Sequence, residues 1–247
     1  MSHSKKGQSP IMLFLTIIKL LSNNKRSARV QYQTQIKGLA LAITMLAGVV
    51  GSHFVYAESN ATINKGKKLY QQNCIFCHQA DAIGKPGVAP SLTNPELLET
   101  ASDKFLKSTI RDGRLGTGMP PFAHLGRSGI DAILAYLRSY EKRPNRSAQI
   151  DKQPIAHGDE RLGKLWFDQI CSTCHGVDGD GYHAGGTGTA IGNPSFLSKA
   201  SDGFIRETIK HGRSNTRMIG YSGPEAMANL TDGEIDDIIT YMRSFKH

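Results

Sequence analysis

Apolar residues recur at helical spacing near the end of each half of the chain. They lie in "GIDAILAYLRSYEK" and "GEIDDIITYMRSF", at Ile130, Ile133, Leu134 and Leu137, and at Ile235, Ile238, Ile239 and Met242. This spacing places them on one face of an α-helix. No segment shows a convincing strand pattern. We therefore predict an all-α fold in which each half runs helix, loop, short helix, loop, helix.

The two halves repeat each other. The stretch "ASDKFLKSTIRDGR" (Ala101–Arg114) returns as "ASDGFIRETIKHGR" (Ala200–Arg213), 99 residues later. Between the halves, residues 143–160 are polar, contain two prolines and lack apolar periodicity, which is typical of a linker. The pattern predicts domains at 58–143 and 157–247, a linker at 144–156, and a separate leader at 1–57.

The leader explains most of the net charge. Residues 1–57 hold seven Lys or Arg and no Asp or Glu, and the uncharged run "GLALAITMLAGVVGSHFVYA" occupies 38–57. A basic start, an apolar run and small residues at Val55 and Ala57 predict an export signal. Twenty uncharged residues are also long enough for a membrane anchor. Both interpretations carry residues 58–247 across a membrane, to the periplasm or its membrane surface.

The remaining charge is nearly balanced. Residues 58–247 contain 23 basic and 21 acidic side chains, so the overall charge of +9 does not indicate a nucleic-acid surface. The first domain has 12 basic and 8 acidic residues, and residues 157–247 have 9 and 12. This asymmetry would let each domain attract a different protein partner.

All four cysteines lie in two C-x-x-C-H motifs, Cys74-Ile-Phe-Cys77-His78 and Cys171-Ser-Thr-Cys174-His175. A zinc site would need its cysteine pairs closer together, and a redox dithiol has no need of the following histidine. Two disulfides would likewise leave both histidines unexplained. The motif predicts covalent attachment of one haem c per domain, through two thioether bonds and a proximal histidine ligand.

An electron-transferring haem also needs a ligand on its other face, for which a methionine thioether is suited. Met119 follows a glycine-rich loop and precedes two prolines, and Met218 lies 99 residues later. In the second domain Ile219 and Gly220 replace the two prolines, and His183 and His211 are rival ligands. The predicted iron ligands are His78, Met119, His175 and Met218.

Both repeats resemble class I c-type cytochromes, and the tandem resembles the two-domain dihaem cytochromes c. The resemblance implies that Gly66 and Tyr70 cross a helix bearing Ile133 and Tyr136. Gly163 and Phe167 would likewise cross a helix bearing Ile238 and Tyr241. It also implies that Pro90 and Pro194 supply the carbonyl groups that accept a hydrogen bond from each proximal histidine. The glycine common after the histidine is present as Gly176 but is Gln79 in the first domain.

Three functions fit these features. The first is a dihaem electron carrier between redox partner proteins of a respiratory-type chain, with no small-molecule substrate and no catalytic side chain. The second is a cytochrome c subunit of a membrane-bound dehydrogenase or oxidase complex. The third is a dihaem oxidoreductase resembling thiosulfate dehydrogenases, which would require an open or differently ligated haem.

Overall fold

The first domain consists of helices joined by loops. A computed structural model describes residues 59–245, without the side chains of residues 183 and 184. Helix α1 occupies residues 59–73 within this range. It is followed by α2 (Ile75–His78), α3 (Pro95–Thr100), α4 (Asp103–Asp112), a 3₁₀ turn (Ala123–Leu125) and α5 (Gly126–Arg138).

The second domain repeats the order of the α-helices after a short connecting helix, α6 (Ser147–Ile150), but its 3₁₀ turn lies earlier in the chain. It contains α7 (Glu160–Trp166), a π-helical segment (Phe167–Cys171), α8 (Ser172–His175), a 3₁₀ turn (Gly181–Ala184), α9 (Pro194–Leu197), α10 (Asp202–His211) and α11 (Asp232–Arg243). Residues 59–245 contain no strand and only an isolated bridge between Lys85 and Ala89. The predicted all-α fold is confirmed.

Helix starts are set by the same local chemistry in both domains. Asn94 and Asn193 cap α3 and α9, each followed by a proline at the first helical position. Ser102 and Ser201 likewise cap α4 and α10 with their hydroxyl oxygens. A cap oxygen accepts from a backbone N–H that has no partner within the helix, and proline there lacks the N–H. The repeated sequence thus specifies equivalent helix starts.

In each domain the first long helix crosses the last one at a glycine. A Cβ atom on Gly66 would lie 1.9 Å from the Ala132 carbonyl oxygen of α5. A Cβ on Gly163 would lie 1.9 Å from the Asp237 carbonyl oxygen of α11. Aromatic pairs complete the crossings, with ring centroids 5.4 Å apart for both Tyr70–Tyr136 and Phe167–Tyr241. The crossings implied by the family resemblance are therefore confirmed.

The two domains meet through equivalent contacts exchanged in both directions. The Asn94 side-chain amide donates to the Ser214 carbonyl at 3.0 Å, and that of Asn193 donates to the Leu115 carbonyl at 2.7 Å. The two hydrogen bonds are equivalent, because Asn193 lies 99 residues after Asn94 and Ser214 lies 99 residues after Leu115. Phe105 and Phe204, which are also equivalent, pack with ring centroids 4.9 Å apart. The interface is thus isologous, with the approximate two-fold symmetry of a homodimer.

The connecting segment takes part in this interface, although its polar sequence predicts only a linker. Ile150 is buried in the same apolar cluster as Phe105 and Phe204. Arg146 lies 2.6 Å from Glu99 of the first domain and 3.2 Å from Glu207 of the second. One buried side chain and one bridging cation therefore attach the segment to both domains.

The predicted signal or anchor at 38–57 lies outside the described residues. Within residues 59–245 no helix combines the length and apolarity that a membrane crossing needs.

Candidate haem sites

The first C-x-x-C-H motif forms a single helical turn at the end of α1. Cys74 N donates to the Tyr70 carbonyl at 2.8 Å, and His78 N donates to the Cys74 carbonyl at 3.0 Å. This turn places Cys74 and Cys77 one helical turn apart, with His78 directly after them. Two thiols and an imidazole on one turn are the donor set that haem c requires.

The second motif forms the same turn. Helix α8 ends at His175, and Gly176 N donates back to the Ser172 carbonyl at 2.7 Å. Gln79 and Gly176, the residues that follow the histidines, have φ of 65° and 78° and both leave the helix in an extended direction. Both domains therefore redirect the chain at the same point, although only one has a glycine there.

A backbone carbonyl holds each histidine ring. His78 Nδ1 lies 2.9 Å from the Pro90 carbonyl oxygen, as the resemblance implies. His175 Nδ1 lies 2.7 Å from the Thr189 carbonyl oxygen instead of that of Pro194. A ring nitrogen that donates to a carbonyl carries the proton at Nδ1, so Nε2 has a free lone pair for a metal.

The expectation for Pro194 is wrong for a structural reason. Pro194 is the first residue of α9, and its carbonyl accepts from Ser198 N at 2.9 Å. Its equivalent in the first domain is Pro95, the first residue of α3. The offset of 99 relates Pro90 to Thr189, so the repeat itself could have identified the correct carbonyl.

Both histidines are in the protonation state that a metal requires. Burial lowers the pKa of His78 and His175, while the carbonyl hydrogen bond acts in the opposite direction. Arg114 lowers the pKa of His78 further. The imidazoles are therefore neutral at neutral pH, as coordination demands.

The two methionine loops have the same backbone hydrogen bonds. Arg114 N donates to the Met119 carbonyl at 3.0 Å, and Arg213 N donates to the Met218 carbonyl at 2.6 Å. Thr117 and Thr216 accept from the methionine N–H groups at 3.2 and 3.0 Å. The second loop thus adopts the conformation of the first without its two prolines.

Of the rival ligands in the second domain, His211 ends α10 and faces a carboxylate. Its side chain is 61% exposed, and Nε2 lies 3.7 Å from Glu207. The side chain of His183 lies outside the described residues. The loop geometry therefore supports Met218 more than His211 as the second axial ligand.

Two partly buried arginines adjoin these loops, and the motifs did not point to them. Burial lowers the pKa of Arg114 and Arg213 to about 10, so both remain charged at neutral pH. The Arg114 guanidinium lies 4.9 Å from the Phe196 ring centroid of the other domain. Arg213 Nη2 donates to Thr208, whereas its Nη1 is buried and has no hydrogen-bond partner among residues 59–245. The Gly-Arg pair repeated before each methionine loop was the available signal.

The donor chemistry fits haem better than the alternatives. All four cysteines are free, and residues 59–245 contain no group of three or more His, Cys, Asp or Glu arranged to hold a metal ion. An unpartnered buried cation is suited to a carboxylate such as a haem propionate. The residues present therefore fit haem c in both domains.

Comparison with known families agrees with the division into two domains. Residues 61–137 match the family model described as cytochrome c oxidase, cbb3-type, subunit III. Residues 161–246 match the family model described as cytochrome c. Each match contains one C-x-x-C-H motif and one methionine loop.

Several curated proteins are similar to this chain in sequence. The chain is 32% identical over 123 residues to the cbb3-type cytochrome c oxidase subunit CcoP of Rubrivivax gelatinosus, covering 49% of this chain and 36% of the relative. It is 25% identical to the CcoP of Azospirillum brasilense, covering 72% and 60%. It is 29% identical to the cytochrome bc1 complex cytochrome c subunit of Mycobacterium leprae, covering 76% and 63%.

These alignments span less than two thirds of the relatives' own lengths. The family matches and the repeated motif geometry lead to one conclusion. The chain is a two-domain c-type cytochrome of class I, with one covalently bound haem c in each domain.

Proposed function

We propose that the protein carries single electrons between redox partner proteins of a respiratory chain, in the periplasm or at its membrane. The observation that carries this proposal is the equivalence of the two sites. Each has a histidine held through Nδ1 by a carbonyl, and each has a methionine loop of the same conformation. The haems supply reversible one-electron iron chemistry, and no protein acid, base or nucleophile is needed.

The side chains have defined roles in this proposal. Cys74, Cys77, Cys171 and Cys174 would hold the two haems. His78 and His175 would bind iron through Nε2, and Met119 and Met218 would supply a thioether ligand. Arg114 and Arg213 would pair with the propionate carboxylates. Pro90 and Thr189 fix the histidine rings through their carbonyl groups.

Ligand binding to the reduced protein tests the carrier against an enzyme. If a methionine occupies the iron position opposite the histidine in both haems, neither haem should bind carbon monoxide rapidly at neutral pH. The reductive titration should consume two electrons per chain and return fully on reoxidation. Rapid carbon monoxide binding to one haem per chain would contradict the carrier proposal and favour a dihaem oxidoreductase.

A second candidate is a cytochrome subunit of a membrane oxidase or dehydrogenase complex. The names of the relatives favour it, because they describe subunits of a cbb3-type oxidase and of a bc1 complex. Retention of residues 38–57 as an anchor would support it further. Native electrophoresis of mild-detergent membrane extracts, stained for haem, distinguishes the two, since a subunit migrates with the complex and a free carrier does not.

A further inference from the structure

Two equivalent hydrogen bonds between the domains differ in the charge of their acceptor. In one direction Leu115 N donates to the Ser195 hydroxyl oxygen at 3.3 Å. In the other direction Ser214 donates to the Glu96 carboxylate twice, from its backbone N at 3.0 Å and from its hydroxyl at 2.9 Å. Glu96 and Ser195 are equivalent positions, 99 residues apart. One side of the interface therefore holds a carboxylate where the other side holds a neutral hydroxyl.

Glu96 carries its negative charge at neutral pH. Burial acts to raise the pKa of Glu96, but hydrogen bonds from Ser214 and the charge of Arg143 hold it below its ordinary value. The Glu96 side chain is 13% exposed, whereas that of Arg143, 3.2 Å away, is 51% exposed. Water screens an exposed charge more than a buried one, so Arg143 compensates the charge of Glu96 only in part.

This carboxylate acts on the arginine that precedes the second methionine loop. Glu96 and Arg213 line the same cavity of about 270 Å³ between the domains. Burial lowers the pKa of Arg213, and the charge of Glu96 acts in the opposite direction. For the equivalent Arg114 the opposing group is Tyr182, whose own pKa burial raises, so that it is uncharged at neutral pH. Among residues 59–245, a carboxylate therefore acts on Arg213 and none acts in this way on Arg114.

We propose that Glu96 lowers the reduction potential of the second haem relative to that of the first. Reduction adds one negative charge to a haem site, which a nearby arginine favours and a nearby carboxylate disfavours. Glu96 offsets the charge of Arg213, whereas the neutral Ser195 does not offset that of Arg114. The electron of a singly reduced chain is thus located mainly in the first domain. This inference rests on the electron-carrier function proposed above.

Mediated potentiometry of the full protein with both haems bound tests the inference. The potential that Met218→Ala lowers identifies the second haem. Glu96→Gln removes the charge but keeps an oxygen atom that can accept from Ser214, so the interface retains its hydrogen bonds. We expect the equilibrium constant for reduction of the second haem to rise about tenfold, which is about 59 mV for one electron. A purely structural role of Glu96 would leave this potential unchanged.

The repeat supplies the reciprocal variant. Ser195→Glu places a carboxylate at the equivalent contact and should lower the equilibrium constant for reduction of the first haem about tenfold. Glu225→Gln is the control, because it removes a charge at an exposed position of the second domain. It should change either equilibrium constant by less than about twofold. No shift in Glu96→Gln, or shifts of equal size at both haems, would overturn the inference.

The same titration separates this inference from the carrier function. Two reversible one-electron steps that Glu96→Gln does not shift would remove the role of Glu96 and leave the carrier function intact. A parent protein that does not take up and release two electrons per chain reversibly would contradict both.

Discussion

Gln79 occupies a backbone position that a glycine occupies in the other domain. Its φ of 65° and ψ of 166° lie in a region that is almost restricted to glycine, because a Cβ atom crowds the backbone there. The Tyr70 hydroxyl donates to the Gln79 carbonyl at 2.8 Å and holds this conformation. Tyr70 is fully buried, so the constraint comes from the core of the first domain.

Relief of this strain gives a first prediction. Gln79→Gly should raise the free energy of unfolding by about 1 kcal/mol, because glycine adopts the conformation without steric cost. Gly176→Gln, the reverse change at the equivalent position, should lower it by about 1–3 kcal/mol. Denaturant unfolding of the haem-loaded proteins measures both. Equal stabilities for Gln79→Gly and the parent protein would contradict the strain argument.

The axial ligands give a second prediction at this scale. Met119→Ala and Met218→Ala should each lower one of the two reduction potentials, because a thioether ligand favours ferrous iron. Each should also remove half of the weak red absorption of methionine-ligated ferric haem. Met227→Ala, an exposed methionine outside both loops, is the control and should change neither. An unchanged potential in either loop variant would show that the ligand is misassigned.

The helix crossings determine the shape of each domain. Gly66 on α1 and Gly163 on α7 allow the backbones to touch, so that Tyr70 and Phe167 can pack against α5 and α11. Larger residues at these two positions would push the crossing helices apart and disturb the packing beside the haem-attachment turn. Close packing of this kind tolerates added volume poorly.

The crossing gives a third prediction. Gly163→Ala should destabilise the protein by about 3 kcal/mol, because the new methyl group would overlap the Asp237 carbonyl of α11. Gly233→Ala on α11 itself is the control. Its Cβ would meet nothing closer than 4.0 Å, and alanine favours a helix, so stability should rise slightly. Thermal unfolding of both variants checks this, and a mild effect of Gly163→Ala would refute the crossing.

Periodicity and repeat were enough to predict the all-α fold of two similar halves. The C-x-x-C-H motifs predicted the haem-attachment sites, and the resemblance to class I c-type cytochromes implied the two crossings. The wrong choice of Pro194 arose because two prolines, Pro90 and Pro95, lie close together in the first domain and only the second has a counterpart. Arg114 and Arg213 were missed because the repeated Gly-Arg pair does not by itself show what surrounds the arginine. Their partial burial arises from packing between distant segments, which a single sequence does not encode locally.

At the scale of the whole molecule, the two domains form an internal dimer. The asparagine of each domain donates to a loop carbonyl of the other domain, and the equivalent phenylalanines pack against each other. The connecting segment contacts both domains through Ile150 and Arg146. Its short polar sequence did not predict this role, because the partners of Arg146 lie 47 and 61 residues away in the chain. These contacts fix the position of the two haem sites relative to each other.

The ion pair between Arg146 and Glu99 gives a fourth prediction, which concerns stability at low pH. Burial acts to raise the pKa of Glu99, but hydrogen bonds from Arg146 and Arg143 hold it below its ordinary value. A carboxylate whose pKa is lower in the folded protein than in the unfolded chain stabilises the fold at any pH above its unfolded pKa, which is about 4.3 for glutamate. This contribution is lost as the pH falls through the pKa of the folded state. Glu99→Gln should therefore cost about 1 kcal/mol at pH 7 and less at pH 3.

Thermal unfolding across this pH range measures the difference between Glu99→Gln and the parent protein. Glu225→Gln, at an exposed position in the second domain, should have no effect at either pH. If Glu99→Gln loses the same amount of thermal stability at pH 3 and at pH 7, the ion pair between Glu99 and Arg146 does not contribute as proposed.

Low-temperature electron spin resonance of the oxidised protein, calibrated for two haems per chain, reports the spin state and ligands of both irons. We expect two low-spin ferric signals with histidine–methionine ligation, one lost in Met119→Ala and the other in Met218→Ala. A high-spin ferric signal from the second domain of the parent protein would contradict the assignment of both sites as electron-transfer centres.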